Sequence, residues 1–380
     1  MGRNSGFTDD NRFPGATVSE LRAVGKERTV NARVLVTGAY GRVGRAVVQR
    51  LLTDKFQVVV TAHRNVDPPM PTEADVRAVD LTETHQVKTL VDDVSPSAIV
   101  HLAAAIPPRC YADRSTARAV NVDVTAALVR AASEQPSPPR FVHASTGAVH
   151  GVRNPHRAGD PVTPESPLAP VDLYGCHKAL AENIVRSSDL EWSILRLSSV
   201  IAMDPLANLR FSDAFYFRAL VPEDTRVHTV DPRDVATAFA RALTTDAVRE
   251  VFMIAGDESH KRVWGEFVRT NAETVGLAAA MFPSRPGNPD EDGDWYPLGW
   301  LDTTRSQAVL SFQEHSCADT YAEIRARTGW RSRPLRIAAP LFGLLMRRRA
   351  PYYHQPGRYA DPWGAIRKKW GDPTPDALTV

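Results

Sequence analysis

A tyrosine and a lysine four positions apart are the first residues that could do chemistry together. Tyr174 and Lys178 belong to the stretch Tyr-Gly-Cys-His-Lys, and this spacing places both side chains on one face of a helix, one turn apart. A lysine ammonium beside a phenol favours the phenolate and lowers the pKa of the phenol. A tyrosine tuned in this way can donate and accept a proton near neutral pH, so the pair predicts general acid–base catalysis.

Thr146 adds a hydroxyl that can hold the oxygen of a substrate carbonyl or alcohol. It follows Ser145 at the end of a predicted strand. The Tyr-x-x-x-Lys pattern alone occurs by chance in many proteins. Its position after a Ser-Thr strand end and after a glycine-rich turn makes the combination specific, and the expected catalytic set is Thr146, Tyr174 and Lys178.

The glycine-rich turn lies within residues 33–44, Arg-Val-Leu-Val-Thr-Gly-Ala-Tyr-Gly-Arg-Val-Gly. A predicted buried strand precedes it and a helix with one apolar face follows, which is the arrangement that binds a dinucleotide pyrophosphate. The spacing is G-x-x-G-x-x-G rather than G-x-G-x-x-G, so a glycine turn without a ligand is the alternative. The predicted cofactor-binding residues of this turn are Gly38, Tyr40, Gly41, Arg42, Val43 and Gly44.

The end of the second predicted strand, residues 57–62, indicates which cofactor fits. An acidic residue about 20 positions after the glycines would bind the ribose 2′-hydroxyl of NAD, but the sequence here runs Thr-Ala-His-Arg. Arg64, with help from Arg42, can pair with a 2′-phosphate, and His63 offers a further donor. The pattern favours NADP(H), with NAD still open; the alternative is that Arg64 is only a solvated charge at the strand end.

Two later strand ends complete the expected cofactor surface. Asp80 could accept a hydrogen bond from the adenine amino group while Leu81 covers the ring, or Asp80 could simply cap a helix. The fourth predicted strand ends in mostly small side chains, which would let a flat cofactor lie against the backbone. Its predicted contact residues are Leu102, Ala103 and Ala104. His101, in the same strand, is predicted to be a hydrogen-bonded core residue rather than a catalytic one.

The composition excludes several classes of protein. The chain has 380 residues, of which 43% are hydrophobic and 24% charged, and a formal net charge of +2, so bulk charge does not indicate a nucleic-acid partner. Three distant cysteines suggest neither a disulfide framework nor a metal site. No apolar stretch reaches the length of a membrane span, and we expect no signal peptide. A cytoplasmic enzyme with a small-molecule substrate is the default expectation, with a homodimer as an open alternative.

Strand and helix patterns alternate from residue 32 onward, which predicts an α/β fold: a Rossmann-type, doubly wound parallel sheet with a smaller C-terminal substrate lobe. We expect a disordered leader (1–31), an NAD(P)-binding domain (32–200), a substrate-binding lobe interleaved with the last sheet elements (201–330) and a basic, aromatic tail (331–380). Pro340 and Gly343 argue against a long amphipathic helix in the tail. Its apolar segment 335–346 is therefore predicted to pack on its own domain or on a second subunit rather than in a membrane interface.

Taken in order, these motifs resemble the extended short-chain dehydrogenase/reductase family, the NAD-dependent epimerase/dehydratase group. The matching stretches are 37–44, 80–81, 101–104, 121–122, 145–151, 174–178 and 230–235. The resemblance implies that Tyr174 is the general acid/base and that Lys178 binds the nicotinamide ribose and tunes Tyr174. It implies that Thr146 is the catalytic Ser/Thr and that Asn121, which matches the family's helix asparagine, completes the set.

The chain departs from the family pattern at several points. His150 stands where the family often has tyrosine, Leu197 where it has proline, and the segment between residues 205 and 228 is shorter than sugar-nucleotide enzymes usually carry. The shorter segment, together with the NADP-like end of the second predicted strand, favours an NADP(H)-dependent oxidoreductase that reduces a carbonyl or oxidises an alcohol on a small metabolite. A sugar-nucleotide epimerase or dehydratase with tightly bound NAD(P) is the first alternative, and a non-catalytic NADP-binding protein is the second.

Overall fold

The structure is a computed structural model of the chain. It describes residues 32–63, 70–157, 159, 161–204, 212–281 and 284–376. The predicted leader (1–31) and Arg64 lie outside the described residues. Within the described ranges, every helix is too short or too polar to cross a membrane.

Ten strands form two sheets within the described residues. The strands are β1 Arg33–Thr37, β2 Gln57–Ala62, β3 Asp75–Ala78, β4 Ala98–His101, β5 Arg140–Thr146, β6 Trp192–Leu197, β7 Ser199–Val200, β8 Arg226–Val230, β9 Glu250–Ile254 and β10 Lys261–Val263. Seven of them form one sheet in the order β3-β2-β1-β4-β5-β6-β9. All neighbours in this sheet run parallel. This is the strand order of a doubly wound sheet, so the predicted fold class is confirmed.

Helices connect the strands and cover both faces of the sheet. They are α1 Arg42–Thr53, α2 Thr84–Val94, α3 Arg109–Ala112, α4 Arg114–Arg118, α5 Val124–Ser133, α6 Leu173–Arg186, α7 Ser212–Leu220, α8 Pro232–Ala242, α9 Trp264–Thr274, α10 Thr304–Leu310, α11 Cys317–Thr328, α12 Ser332–Arg347 and α13 Pro362–Trp370. A π-helical turn, Ala119–Asp123, joins α4 to α5.

Alternating side chains of β1 fill two separate hydrophobic layers. Val34 and Val36 belong to the layer formed with α1 and α8, whereas Leu35 belongs to the layer formed with α2 and α5. All three side chains are completely buried, as expected for a central strand of a sheet that is covered on both faces. This burial fixes β1 at the middle of the sheet, with its carboxyl end leading into the glycine turn.

The chain after residue 200 contributes to two sheets. β8 pairs in parallel with β7 and antiparallel with β10 in a small second sheet, while β9 returns to the main sheet beside β6. An isolated bridge between Val162 and Leu301 joins the loop after β5 to the residues before α10. The predicted domain boundaries within this part of the chain stay predictions.

The tail contains a long helix, contrary to the prediction from its proline and glycine. α12 continues through Pro340 over 16 residues. Leu335 and Phe342 pack against the hydrophobic cluster around α11, and a Cβ at Gly343 would lie only 2.9 Å from the Ala280 Cα. Close tertiary packing along this face therefore outweighs the intrinsic helix cost of Pro340 and Gly343.

Residues after α13 return to the first turn of α6. The N–H of Leu173 donates to the Pro373 carbonyl at 2.8 Å, and His177 Nε2 lies 2.8 Å from Asp376 Oδ2. Arg114 donates to the carboxylate of Asp376 and to two neighbouring main-chain carbonyls. The last described residues thus belong to the surroundings of α6 rather than to an independent appendage.

An ion pair lies fully buried between α6 and β6. Arg196 donates to both carboxylate oxygens of Glu182, from Nε to Oε1 at 2.9 Å and from Nη2 to Oε2 at 2.7 Å. The side chains of Arg196 and Glu182 are 1% and 0% exposed. Ser145 also donates its hydroxyl to Glu182, at 2.5 Å. This network joins the end of β5 to α6 and β6. It therefore helps to fix the position of Thr146, the last residue of β5.

Candidate active site

The glycine turn occupies a tight space between the end of β1 and the start of α1. Gly38 has φ of +70°, and a Cβ there would lie 2.5 Å from the Ala103 nitrogen. A Cβ at Gly44 would collide with the Gly38 carbonyl oxygen. Gly41 is the N-cap of α1, where no side chain caps the N–H groups. An uncapped helix N-terminus beside a turn that excludes side chains fits the pyrophosphate of a dinucleotide.

A cavity of about 890 Å³ extends from the glycine turn across the carboxyl ends of β1, β2 and β3. Asp80 accepts hydrogen bonds from the N–H of Thr82 at 3.0 Å and from its hydroxyl at 2.6 Å, and these bonds lower the pKa of Asp80. His63 Nδ1 lies 3.7 Å from Asp80 Oδ2. The predicted cofactor residues that line this cavity are Gly38, Tyr40, Gly41, His63, Asp80, Leu81 and Ala103.

A second cavity, of about 800 Å³, is lined by three of the four predicted catalytic residues. Tyr40 lines both cavities, so they adjoin at the glycine turn. Thr146, the last residue of β5, faces this second cavity together with Tyr174 and Lys178 of α6. Its walls also include the predicted cofactor residues Arg42, Val43, Leu102 and Ala104, and the apolar residues Phe217, Trp264, Tyr296 and Leu301. The fold therefore brings residues from distant parts of the sequence into one continuous site.

Asp172 fixes the first turn of α6 and with it Tyr174. Its carboxylate accepts the N–H groups of Tyr174 at 3.3 Å and Gly175 at 3.1 Å, as an N-cap does. Tyr111 donates its hydroxyl to the same carboxylate at 2.7 Å. Burial nevertheless raises the pKa of Asp172. Neither Asp172 nor Tyr111 was predicted, although an aspartate directly before a helix start is a recognisable capping signal.

Burial controls the pKa values of the two central titratable groups. It raises the pKa of Tyr174, and the nearby Cys110 and Asp172 add to the effect. The prediction that Lys178 lowers the pKa of Tyr174 is therefore wrong in this structure, where the lysine Nζ lies 3.3 Å from His143 Nε2. Burial lowers the pKa of Lys178 to about 8, partly opposed by a nearby carboxylate. The Tyr174 phenol and the Lys178 amine are thus both mainly protonated at pH 7.

Two buried histidines lie side by side on adjacent strands next to Lys178. His101 on β4 is paired in register with His143 on β5, and their ring centroids are 5.3 Å apart. His101 lies 2.7 Å from the Thr37 hydroxyl and 3.0 Å from the Thr125 hydroxyl, so it is the hydrogen-bonded core residue that was predicted. Burial lowers the pKa of both imidazoles. A neutral His143, which was not predicted, therefore presents a nitrogen acceptor to Lys178.

Asn121 lies outside the walls of both cavities. It is buried in the π-helical turn. Its Oδ1 accepts the Ala105 N–H at 2.8 Å, and its Nδ2 donates to the Ala105 carbonyl at 3.0 Å. The amide thus holds the segment that follows β4, which includes three predicted cofactor residues. In this structure the Asn121 amide therefore positions backbone beside the cofactor cavity, and its predicted membership of the catalytic set stays a prediction.

His150, which stands where the family often has tyrosine, also lines the catalytic cavity. Its Nε2 lies 3.1 Å from Arg196 Nη1 and its Nδ1 lies 3.1 Å from the Pro167 carbonyl oxygen. Arg196 can only donate, so Nε2 is the acceptor and Nδ1 carries the proton. Burial, followed by the charge of Arg196, lowers the pKa of His150 to about 4. Leu197, the second departure, contributes an apolar part of the same wall.

Replacing Lys178 with methionine is expected to stabilise the fold at neutral pH. The pKa of Lys178 is about 8 in the fold against an ordinary value of 10.5, so the buried ammonium costs about 3 kcal/mol below pH 8. The methionine avoids this cost but loses the hydrogen bond to His143, worth about 1 kcal/mol. Urea unfolding at pH 7 should therefore show a net gain of about 2 kcal/mol in the free energy of unfolding.

The pH dependence gives a second check on the same variant. Between pH 8 and 10.5 the unfolded parent chain keeps a proton that the folded chain has released. The free energy of unfolding of the parent therefore rises with pH across this window. The difference in this free energy between Lys178→Met and the parent becomes smaller. Lys368→Met, at an exposed position, is the matched control and should leave the stability unchanged. A Lys178→Met chain that is less stable than the parent at pH 7 would contradict the assignment.

The chain is similar to one protein family and to several known proteins. The sequence profile of the NAD-dependent epimerase/dehydratase family matches residues 34–255. The beta subunit of methionine adenosyltransferase 2 from Pongo abelii is 30% identical over 168 residues, which are 44% of this chain and 46% of that protein. The chain thus spans less than half the length of this relative. A candidate UDP-arabinose 4-epimerase of Arabidopsis thaliana is 24% identical over 303 residues, covering 67% of this chain and 68% of that protein.

One solved structure resembles this chain over nearly the whole of its own length. A short-chain dehydrogenase/reductase superfamily protein from Agrobacterium tumefaciens, solved with bound NAD, is 25% identical and superposes with a TM-score of 0.61. The match covers 80% of this chain and 98% of that chain. The family match includes the glycine turn, the Ser-Thr strand end and the Tyr-x-x-x-Lys helix. The chain belongs to the NAD-dependent epimerase/dehydratase family.

Proposed function

We propose that this chain is an NADP(H)-dependent oxidoreductase that interconverts a carbonyl and an alcohol on a small metabolite. One observation carries the proposal: Thr146, Tyr174 and Lys178 line a single cavity that adjoins the cavity of the glycine turn. A site of this kind places a proton donor and a hydroxyl anchor beside a dinucleotide. When bound, a nicotinamide would supply or accept the hydride.

The chain's own residues would manage the proton and the substrate oxygen. Because burial raises the pKa of Tyr174, its phenol is protonated and ready to donate to the oxygen of a carbonyl that is being reduced. Thr146 sits at the strand end where its hydroxyl can bind the same oxygen; its Oγ1 already accepts the N–H of Ala148 at 3.2 Å. That bond leaves the Thr146 hydroxyl hydrogen available for the substrate.

Lys178 would hold the ribose hydroxyls of the cofactor. Its ammonium has three donors, and His143 provides one acceptor within the protein. The two remaining donors can face the cavity that Lys178 lines. In this arrangement His143 orients the ammonium, and the ribose would take the place of solvent as its second partner.

A sugar-nucleotide epimerase is the second candidate. The relative from Arabidopsis thaliana is classed with UDP-arabinose 4-epimerases, and it aligns with two thirds of this chain. An epimerase would use the same three residues, but it would oxidise and re-reduce the sugar within one turnover and keep its cofactor bound. The two candidates therefore differ in whether the nicotinamide changes its redox state overall.

Cofactor stoichiometry separates the two candidates. The purified full chain would be denatured and its released cofactor identified by mass spectrometry, and the native chain would be screened for NADPH oxidation with a panel of ketones and aldehydes. We expect one NADPH oxidised for each carbonyl reduced, and a turnover about 10²–10⁴-fold lower for Tyr174→Phe in the same screen. Conversion of a UDP-sugar to its epimer without net change in nicotinamide absorbance would replace this proposal with the epimerase.

NADPH is expected to bind about ten- to a hundredfold more tightly than NADH. The described residues at the tip of β2, Thr61, Ala62 and His63, include no acid, and the carboxylate of Asp80 is engaged by Thr82. Arg64 follows directly in the sequence, and a charge-assisted contact to a 2′-phosphate contributes roughly 1.5–3 kcal/mol.

Fluorescence titration of both cofactors measures this preference. Arg64→Ala should reduce the difference in affinity between NADPH and NADH. Arg130→Ala, at an exposed position on α5, should leave this difference unchanged. Equal affinities of the parent chain for the two cofactors would contradict the NADP(H) assignment.

A further inference from the structure

One face of α12 exposes a continuous apolar stripe. Ile337 is 84% exposed, Leu341 and Leu344 are each 64% exposed, and Leu345 is 62% exposed. Their spacing places them on one side of the helix. Trp330, just before the helix, is 74% exposed. These five are the most exposed large apolar side chains among the residues that the structure describes.

The opposite face of the same helix is already occupied. Ala339 is fully buried, and Leu335 and Phe342 pack on the cluster that includes Tyr321 and Ile324 of α11. The helix is therefore held flat against the protein, and its outward stripe cannot turn inward without breaking these contacts. A large apolar stripe that is kept on the surface of a folded chain marks a binding surface.

The charges around the apolar stripe indicate which kind of partner would bind there. Residues 324–360 contain nine arginines and no aspartate, glutamate or lysine, whereas the whole chain carries 46 basic and 44 acidic residues. Arginines flank the stripe at both ends of α12, and all six are exposed. They are Arg331, Arg333, Arg336, Arg347, Arg348 and Arg349. Within the described part of the chain, none of these six forms an ion pair. The surface thus combines an apolar stripe with a local excess of positive charge.

We propose that α12 binds the surface of an anionic lipid bilayer, lying in the plane of the interface. The apolar stripe would enter the boundary between headgroups and acyl chains, and the flanking arginines would pair with lipid phosphates. A second copy of the chain fits this face less well, because a symmetric contact would bring two sets of six arginines together without any acidic partner. The residues of this surface line neither of the two cavities, and the proposal does not depend on the substrate.

Vesicle flotation of the full chain tests the proposal. The probes are vesicles of phosphatidylcholine alone and vesicles of equal parts phosphatidylcholine and phosphatidylglycerol. We expect the chain to float with the mixed vesicles and not with phosphatidylcholine alone, and added salt to weaken the binding. Leu341→Ser/Leu344→Ser should lose on the order of a hundredfold in affinity. Arg348→Gln/Arg349→Gln should lose about thirtyfold.

Matched variants keep the test specific. Val76→Ser removes an exposed apolar side chain elsewhere, and Arg130→Gln/Arg241→Gln removes two exposed charges elsewhere; both should bind like the parent. Thermal unfolding should be the same for all variants, because every altered side chain is exposed. The proposal is overturned if the parent does not bind mixed vesicles or if Leu341→Ser/Leu344→Ser binds them as the parent does. It is also overturned if the serine variant converts a dimer to a monomer in sedimentation, since a second copy would then cover the stripe.

Discussion

Tyr174→Phe is expected to lower turnover by about 10²–10⁴-fold while NADPH still binds. The substitution removes only the hydroxyl, so the ring keeps its packing in the cluster with Tyr111 and Leu173. The raised pKa of Tyr174 keeps the phenol protonated through neutral pH. Loss of the phenol proton should therefore lower the rate of carbonyl reduction by the parent only under strongly alkaline conditions, whereas deprotonation of Lys178 should weaken cofactor binding above about pH 8. Steady-state kinetics across pH, together with NADPH titration of both chains, measures these effects.

Thr146 offers an internal control for the same experiment. Thr146→Ser keeps a hydroxyl and should be mild, whereas Thr146→Val keeps the shape and should be severe. If Tyr174 and Thr146 were only surface residues of their elements, all three variants would turn over like the parent. A parent-like rate in Tyr174→Phe would remove the tyrosine from the mechanism.

Arg196→Met is expected to reduce the free energy of unfolding by about 3–5 kcal/mol. The substitution leaves the Glu182 carboxylate fully buried without the two hydrogen bonds that Arg196 donates. Among the described residues, the Ser145 hydroxyl alone would still donate a hydrogen bond to this carboxylate. His150 would lose its Nε2 partner as well. Urea unfolding at pH 7 measures the loss, which should far exceed that of an ordinary surface substitution.

A second arginine near the same carboxylate provides the matched control. Arg186 Nη2 lies 4.0 Å from Glu182 Oε2, but its side chain is 41% exposed. Arg186→Met should cost less than about 1 kcal/mol, because solvent screens an exposed pair. The double variant Glu182→Met/Arg196→Met should recover much of the lost stability, since no buried charge is left unpaired. Equal losses in Arg186→Met and Arg196→Met would refute the account of a buried pair.

The fold and the grouping of Thr146, Tyr174 and Lys178 could be predicted because both depend mainly on local sequence patterns. Gly44 is required by short contacts within the turn itself, and Gly38 is required by its positive φ. Tyr174 and Lys178 share a helix face whatever surrounds them. Parallel strands place their carboxyl ends at one edge of the sheet. A Thr146 that ends one strand and a glycine turn that ends another therefore meet in the same region.

The properties that depend on long-range packing could not be predicted in this way. The pKa of Tyr174 is governed by burial rather than by the lysine one turn away, and burial is set by residues such as Tyr296 in a proline-rich loop without a periodic pattern. α12 likewise forms in spite of Pro340, because its stability comes from tertiary contacts with residues near Ala280 and α11. Both errors arose where distant neighbours outweigh local preference.

The docking of the last described residues on α6 sets an order for the assembly of the site. Asp376 contacts residues 199 and 262 positions earlier in the chain, His177 and Arg114. During synthesis, all strands of the main sheet leave the ribosome before residues 372–376 do. The sheet and the glycine turn can therefore form first, since domains begin to fold from their N-terminal parts. The first turn of α6, which carries Tyr174, gains its contact with Pro373 only when the tail docks. We therefore expect the cavity lined by Tyr174 to be completed late in folding.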